Sequence, residues 1–158
     1  MSITINVTNE GDWEVVSYVG PINEEAEVHL AKVLEGLGPK VRINFKQVSM
    51  VNSCGVRSWV NFMREAEANR EITYAECTSE IVMQINMIPS FRGKSKIESV
   101  YGDYSCESCG QTQNLLFENG KNMPETEDDE VQAPMCSSCN EEMEMEELEE
   151  EFFAFVAA

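Results

Sequence analysis

Two cysteine pairs with one shared spacing, Cys106-Glu107-Ser108-Cys109 and Cys136-Ser137-Ser138-Cys139, are the residues of this chain best suited to chemistry. A C-x-x-C pair can fold into a tight knuckle that aims both sulfurs at one ion, and two knuckles supply the four thiolates of a tetrahedral metal site. Gly110 and Asn140 follow the pairs, and both residue types tolerate the left-handed backbone that closes such a turn. Zinc is the expected ion, in a structural role because four protein ligands leave no position open for water. Iron is the alternative for the same ligands. Cys54 and Cys77 are left as free thiols, Cys54 expected as a semi-buried packing residue and Cys77 as core.

Such a site must be positioned by a scaffold, and the charge distribution divides the chain into two parts. The whole sequence has Lys+Arg 11 against Asp+Glu 29, a net charge of −18. Residues 1–100 hold thirteen acids and ten bases, whereas residues 101–158 hold sixteen acids and a single base, Lys121. The step near Tyr101 predicts a first domain over 1–100 with its own core and a second unit over 101–158 too short to build one unaided. Bound metal would make up the difference, contributing on the order of 10 kcal/mol of folding free energy. The start of the sequence, Met1-Ser2-Ile3-Thr4, lacks the basic and apolar blocks of a signal peptide, and no apolar run reaches the roughly 20 residues that span a bilayer. The expectation is a cytoplasmic protein that is not membrane-embedded, in a reducing compartment where the paired thiols ligate metal rather than form disulfides.

Period sorts residues 1–100 into alternating elements. Ile3, Ile5 and Val7, then Trp13, Val15, Ser17 and Val19, alternate as half-buried strands joined by a hairpin at Asn9-Glu10-Gly11-Asp12. Ala26, Leu30, Val33 and Leu37 take helical spacing, with Asn23 as the cap and Gly36 to Pro39 as the stop. Val41 to Phe45 resumes strand. Ser53 begins a second helix with Val56, Val60 and Met63 on its inner face, 71–76 is a strand, and Thr78 caps a third helix that Pro89 stops. A last short strand is expected over 97–101. The order β-β-α-β-α-β-α predicts an α/β fold, a mixed sheet with parallel pairs and right-handed crossovers covered by helices.

The stretch Val41 to Val56, in which a β-branched strand runs into Asn52-Ser53-Cys54-Gly55 and a helix, resembles the signature of STAS domains, the family of anti-sigma factor antagonists and of cytoplasmic domains of sulphate transporters. The likeness in element order covers about residues 3–100. It implies a non-enzymatic module that binds protein partners, an anti-sigma factor or kinase-like protein or a transporter subunit, and that is released by phosphorylation of the residue before the motif glycine. Here that residue is Cys54, and Asn52 stands at the preceding acidic position, so this switch is absent at that place. The working surface implied is Asn52, Ser53, Cys54 and Gly55 with Arg57, Ser58 and Asn61 on the outward face of the helix. His29, the sole histidine, has no nucleophile in a set with it, so no enzyme is expected.

Residues 101–145 resemble zinc ribbons, with rubredoxins as neighbours and hence an iron electron carrier as the alternative function; an accessory subunit of a membrane transporter is a further one. Leu115 to Phe117 is an expected strand, Asn119-Gly120 a turn, and Glu125 to Glu130 a solvated loop. With one lysine in this unit, nucleic acid is not an expected partner, because affinity for phosphate comes from Lys and Arg. The tail from Glu141 to Ala158 reads as one helix carrying Met145, Leu148, Phe152, Phe155 and Val156, docked on its own chain, on a second copy in a homodimer, or in another protein's groove.

Overall fold

The computed structural model describes residues 2–157. β1 (Thr4–Glu10) and β2 (Trp13–Ile22) form an antiparallel hairpin about Gly11-Asp12, where Gly11 takes φ 62°, the conformation a two-residue hairpin turn asks of its first position. The chain continues through α1 (Ala26–Leu34), β3 (Lys40–Asn44), β4 (Val48–Val51), α2 (Ser53–Ala66), β5 (Glu71–Ala75), α3 (Ser79–Met87), α4 (Pro89–Arg92) and β6 (Lys96–Ile97). The pairs β2–β3, β3–β5 and β5–β6 are all parallel, so the sheet order is β1-β2-β3-β5-β6, while β4 pairs in parallel with the far end of β2. The class is therefore α/β with a mixed sheet. Because the parallel strands are laid down in one direction across the sheet, right-handed crossovers carry every intervening helix to the same face. α1 packs on α2, α2 on α4 and α4 on α3, a continuous layer.

That layer closes over Val16, Tyr18, Val41, Ile43, Phe45, Ile72 and Tyr74. Trp59 of α2 is its centre, with ring centroids 5.3 Å from Phe45, 5.2 Å from Phe62 and 5.7 Å from Phe91. Its indole N–H donates to the Tyr74 hydroxyl at 3.0 Å, which in turn donates to the Phe91 carbonyl at 2.6 Å. Burial pushes the Tyr74 hydroxyl well above its ordinary pKa, so it remains a protonated donor. The relay satisfies two buried polar groups that would otherwise cost about 1–3 kcal/mol each.

Several expected phases are corrected. On β2 the buried residues are Val16, Tyr18, Pro21 and Ile22, not Trp13, Val15, Ser17 and Val19, which lie half-exposed on the open face of the sheet. There Trp13 is covered by Lys40 and Arg42, 5.6 and 5.2 Å from its ring. On α2 the inward residues are Gly55, Trp59, Phe62, Met63 and Ala66, with Val56 and Val60 at the flank. The cause is at the helix start: a Cβ on Gly55 would lie 1.9 Å from the Ile22 carbonyl oxygen, so only glycine lets the helix rest on the end of β2 and turn Trp59 inward. Asn23 caps no helix; its carboxamide accepts from the Glu25 N–H at 3.0 Å, and α1 ends at Leu34. Pro89 does end α3, but it also occupies the first turn of α4. Cys77 is buried as expected and Cys54 is exposed, not semi-buried.

The second unit is a three-stranded sheet of β7 (Ser99–Ser105), β8 (Thr112–Glu118) and β9 (Glu144–Met145), with β7 central and both pairings antiparallel. The charge step near Tyr101 falls inside β7, and buried side chains form one continuous cluster across it. The tail is not one helix. Met145 is taken by β9, a short helix α5 spans Glu149–Phe152, and a 3₁₀ turn spans Phe153–Ala157. Phe152, Phe153 and Phe155 are buried on the chain's own surface, whereas Leu148 is 68% exposed. Six glutamates between residues 144 and 151 repel one another along any single helix, and strand pairing captures Met145 instead. No helix among the described residues is long and apolar enough to cross a membrane.

Gly55→Ala should therefore lose stability at or beyond the upper end of the roughly 1–3 kcal/mol typical of overpacking. Urea denaturation would show it as a lowered midpoint, with Ser53→Ala at the exposed neighbouring position within about 0.5 kcal/mol of the parent.

Candidate metal centre

β7 delivers Cys106 at its end, and the first knuckle is the turn of the β7–β8 hairpin, between paired Ser105 and Thr112. The second knuckle closes a smaller hairpin, anchored by the Met135–Glu142 bridge and leading into β9 on the other side of β7. Their backbones match. The Cys106 N–H donates to Gln111 O at 2.9 Å and Gly110 N–H to Cys106 O at 2.8 Å, while Cys136 N–H donates to Glu141 O at 2.8 Å and Asn140 N–H to Cys136 O at 2.9 Å. Gly110 and Asn140 take φ 76° and φ 60°, the left-handed conformation expected of them.

The four sulfurs converge, all within 4.8 Å of one another. Tetrahedral metal–sulfur bonds of about 2.3 Å set sulfurs about 3.8 Å apart. Here Cys106–Cys139 is 3.4 Å, Cys109–Cys136 3.5 Å and Cys109–Cys139 3.9 Å, and none of the six cysteines is in a disulfide. The donor set and its spacing fit a metal ion. Each knuckle contributes one buried sulfur, Cys106 or Cys136, and one exposed, Cys109 or Cys139. Backbone N–H groups of Cys139 and Ser138 directed at Cys136 draw its thiol down to about 7, whereas against the lowering pull of the Glu141 backbone neighbouring thiols push Cys139 up. Tyr104, Phe117 and Met143 are buried in the same unit, the Tyr104 and Phe117 ring centroids 6.4 Å apart.

Gln111 is a functional residue that spacing did not reveal. Its amide nitrogen donates to the Ser137 hydroxyl at 3.0 Å, and its carbonyl accepts from the Ser138 hydroxyl and, at 3.8 Å, from the Cys136 thiol. It thus ties one knuckle to the other. No sequence signal separates it from any other glutamine after a C-x-x-C-G turn. The rim is acidic: Glu107 holds the Glu144 carboxyl above its ordinary range by like-charge repulsion.

The other candidate surface lies at the start of α2. Asn52 caps the helix by accepting the Gly55 N–H at 2.8 Å, and its own amide donates to Glu24 at 3.1 Å. The Glu80 carboxylate accepts the Val51 N–H at 2.9 Å from α3. Ser53, Cys54, Arg57 and Asn61 are exposed and Ser58 half-exposed, bonded to the Cys54 carbonyl at 3.2 Å. Gly55 is buried against Ile22 and supports this surface from beneath. His29 is exposed on α1.

A scan against protein-family models finds no match for this chain, and no curated protein matches it.

Gln111→Ala keeps all four thiolates and should still load metal, but release to a competing chelator should be about tenfold faster, the lower bound for losing a group that orients ligands. Cys136→Ser should load none, which cobalt substitution would report as the loss of thiolate charge-transfer absorption.

Proposed function

We propose that this chain is a non-enzymatic regulatory module of STAS type that binds protein partners through the start of α2, with a structural zinc ion held by Cys106, Cys109, Cys136 and Cys139. The observation that carries it is the junction β4–Asn52–α2, where a strand runs into a capped helix and leaves Ser53, Cys54, Arg57 and Asn61 exposed on a rigid turn. Cys54 occupies the place where the resembling family carries a phosphorylated hydroxyl, so partner binding here is constitutive or controlled elsewhere. An anti-sigma factor or kinase-like protein is the partner class the motif implies, with a transporter subunit second. The acidic rim of the ribbon repels phosphate backbones and argues against nucleic acid.

Zinc is favoured because four thiolates in a closed site suit a d¹⁰ ion without redox chemistry, and the ion would act as a cross-link between two hairpins that share β7. Iron in the same cage would make a rubredoxin-like electron carrier. The two differ by eye: zinc protein is colourless, and iron protein is red with visible charge-transfer bands.

Metal analysis of the purified protein should give one zinc per chain, and acidification from about pH 7.5 to about pH 5 should release it as the thiols reprotonate. Cys54→Asp and Ser58→Glu should melt like the parent yet lose affinity-captured partners, since each sets an unpaired charge in the interface. Unchanged capture by both would remove the α2 turn from consideration.

A further inference from the structure

α3 buries Ile81, Val82 and Ile85 and leaves two methionines, Met83 and Met87, on its outer side at i, i+4 spacing, 49% and 65% exposed. The C-terminal segment runs alongside. Asn86 fastens it there, its amide donating at 3.0 Å to the carbonyls of both Glu151 and Phe152. Between helix and segment lies a groove of about 400 Å³ whose apolar wall is Val82, Met83, Met87 and Phe152 and whose carboxylates are Glu147 and Glu151. No lysine or arginine lines it among the described residues.

We infer that this groove is a docking site for a basic amphipathic helix of a partner protein. The surface stands on different residues from the α2 turn and does not depend on the function proposed for that turn. Three features select the occupant. First, flexible thioether side chains on a helix flank, beside a phenylalanine, take the apolar anchors that a helix presents at positions i, i+3, i+4 and i+7. Second, the charge is one-sided: both charged residues of the groove, Glu147 and Glu151, are acidic, and the segment that walls it belongs to a unit with sixteen acids and one base. Burial, with repulsion from Asp103 and Glu146, already holds Glu147 above its ordinary range, and a cation seated there would relieve it. Third, a second copy of this chain fits poorly, since it brings a net charge of −18 against these carboxylates and its most basic helix, α2, has its apolar face buried.

The test uses the full metal-loaded chain and a fluorescent synthetic peptide of leucine and lysine at amphipathic helical spacing, followed by anisotropy at about 150 mM salt, near one Debye length of 8 Å. Two control peptides are a scramble of identical composition and a version with glutamate for lysine. Binding of the amphipathic peptide at least tenfold tighter than either control, with M83Q/M87Q weakening it at least tenfold and E147Q/E151Q flattening its salt dependence, supports the groove. The two methionines are exposed, so the double variant should keep the parent's melting temperature. Equal binding of the scramble would reduce the effect to attraction between polyions and overturn the proposal. Failure of the peptide to bind, unchanged binding by M83Q/M87Q, or self-association of the parent that M83Q/M87Q abolishes would each overturn it as well, the last in favour of a second copy.

Discussion

Strand β7 is the constraint on which both halves of this protein depend. At its start, backbone bonds run from the Cys77 N–H to Ser99 O and from the Tyr101 N–H to Cys77 O, so the strand is tied to the end of the large sheet. Side chains reinforce the tie: the Tyr101 hydroxyl donates to the Glu76 carboxylate at 2.7 Å, and the Ser99 hydroxyl accepts the Glu76 N–H at 2.7 Å. Glu76 takes φ 49° there, an uncommon conformation for a residue with a side chain, held in place by Tyr101, Ser99 and the Asn44 amide, which donates to its carboxylate. At its other end β7 pairs with both β8 and β9 and delivers Cys106. The position of the sulfur cluster relative to the helical layer is therefore set through one continuous stretch of backbone.

The large sheet is built on one side only. Its monotone strand order sends all helices to one face, and that face concentrates the aromatic packing around Trp59 and the relay through Tyr74 to Phe91. The other face holds polar ties instead, such as Arg42 to Glu98 at 2.6 Å and to Glu10 at 3.2 Å. One-sided covering also explains Gly55. The end of β2 and the start of α2 must touch backbone to backbone for the layer to close, and a methyl group would hold them apart.

The second unit combines acidic charge with a cysteine cluster able to hold a metal ion. The carboxylates there repel one another, and its buried side chains include Tyr104, Cys106, Phe117, Met123, Cys136 and Met143 together with Phe152, Phe153 and Phe155 of the tail. An ion bound by the four thiolates would add a cohesive centre without needing more apolar surface. The three phenylalanines of the tail add a second contact by packing on α3 and β8, with the Arg92 guanidinium donating to the Phe155 carbonyl at 2.8 Å. This leaves the acidic segment before them exposed along the Met83–Met87 flank.

The local chemistry of the chain was legible in its sequence. Matched C-x-x-C spacing with Gly110 and Asn140 specified both knuckles, because a knuckle is closed by bonds within six residues. Thr78 as a cap, Gly11 in the hairpin turn and the alternation of strand and helix were legible for the same reason: each is decided by neighbours in the chain. What only tertiary structure decided is which face of each element is buried and what crosses between elements. Trp13, Val15 and Val19 alternate as well as Val16 and Tyr18 do, and only the position of the helical layer selects between them. The inward turn of Trp59 depends on Ile22, thirty-odd residues earlier, approaching Gly55. Gln111 became a bridge only when the second knuckle arrived beside it, and the tail broke into strand, helix and 3₁₀ turn because β7 offered Met145 an edge. Short-range bonds follow from residue order; burial and contact across the chain follow from the sum of all elements packed at once, and no single segment carries that information.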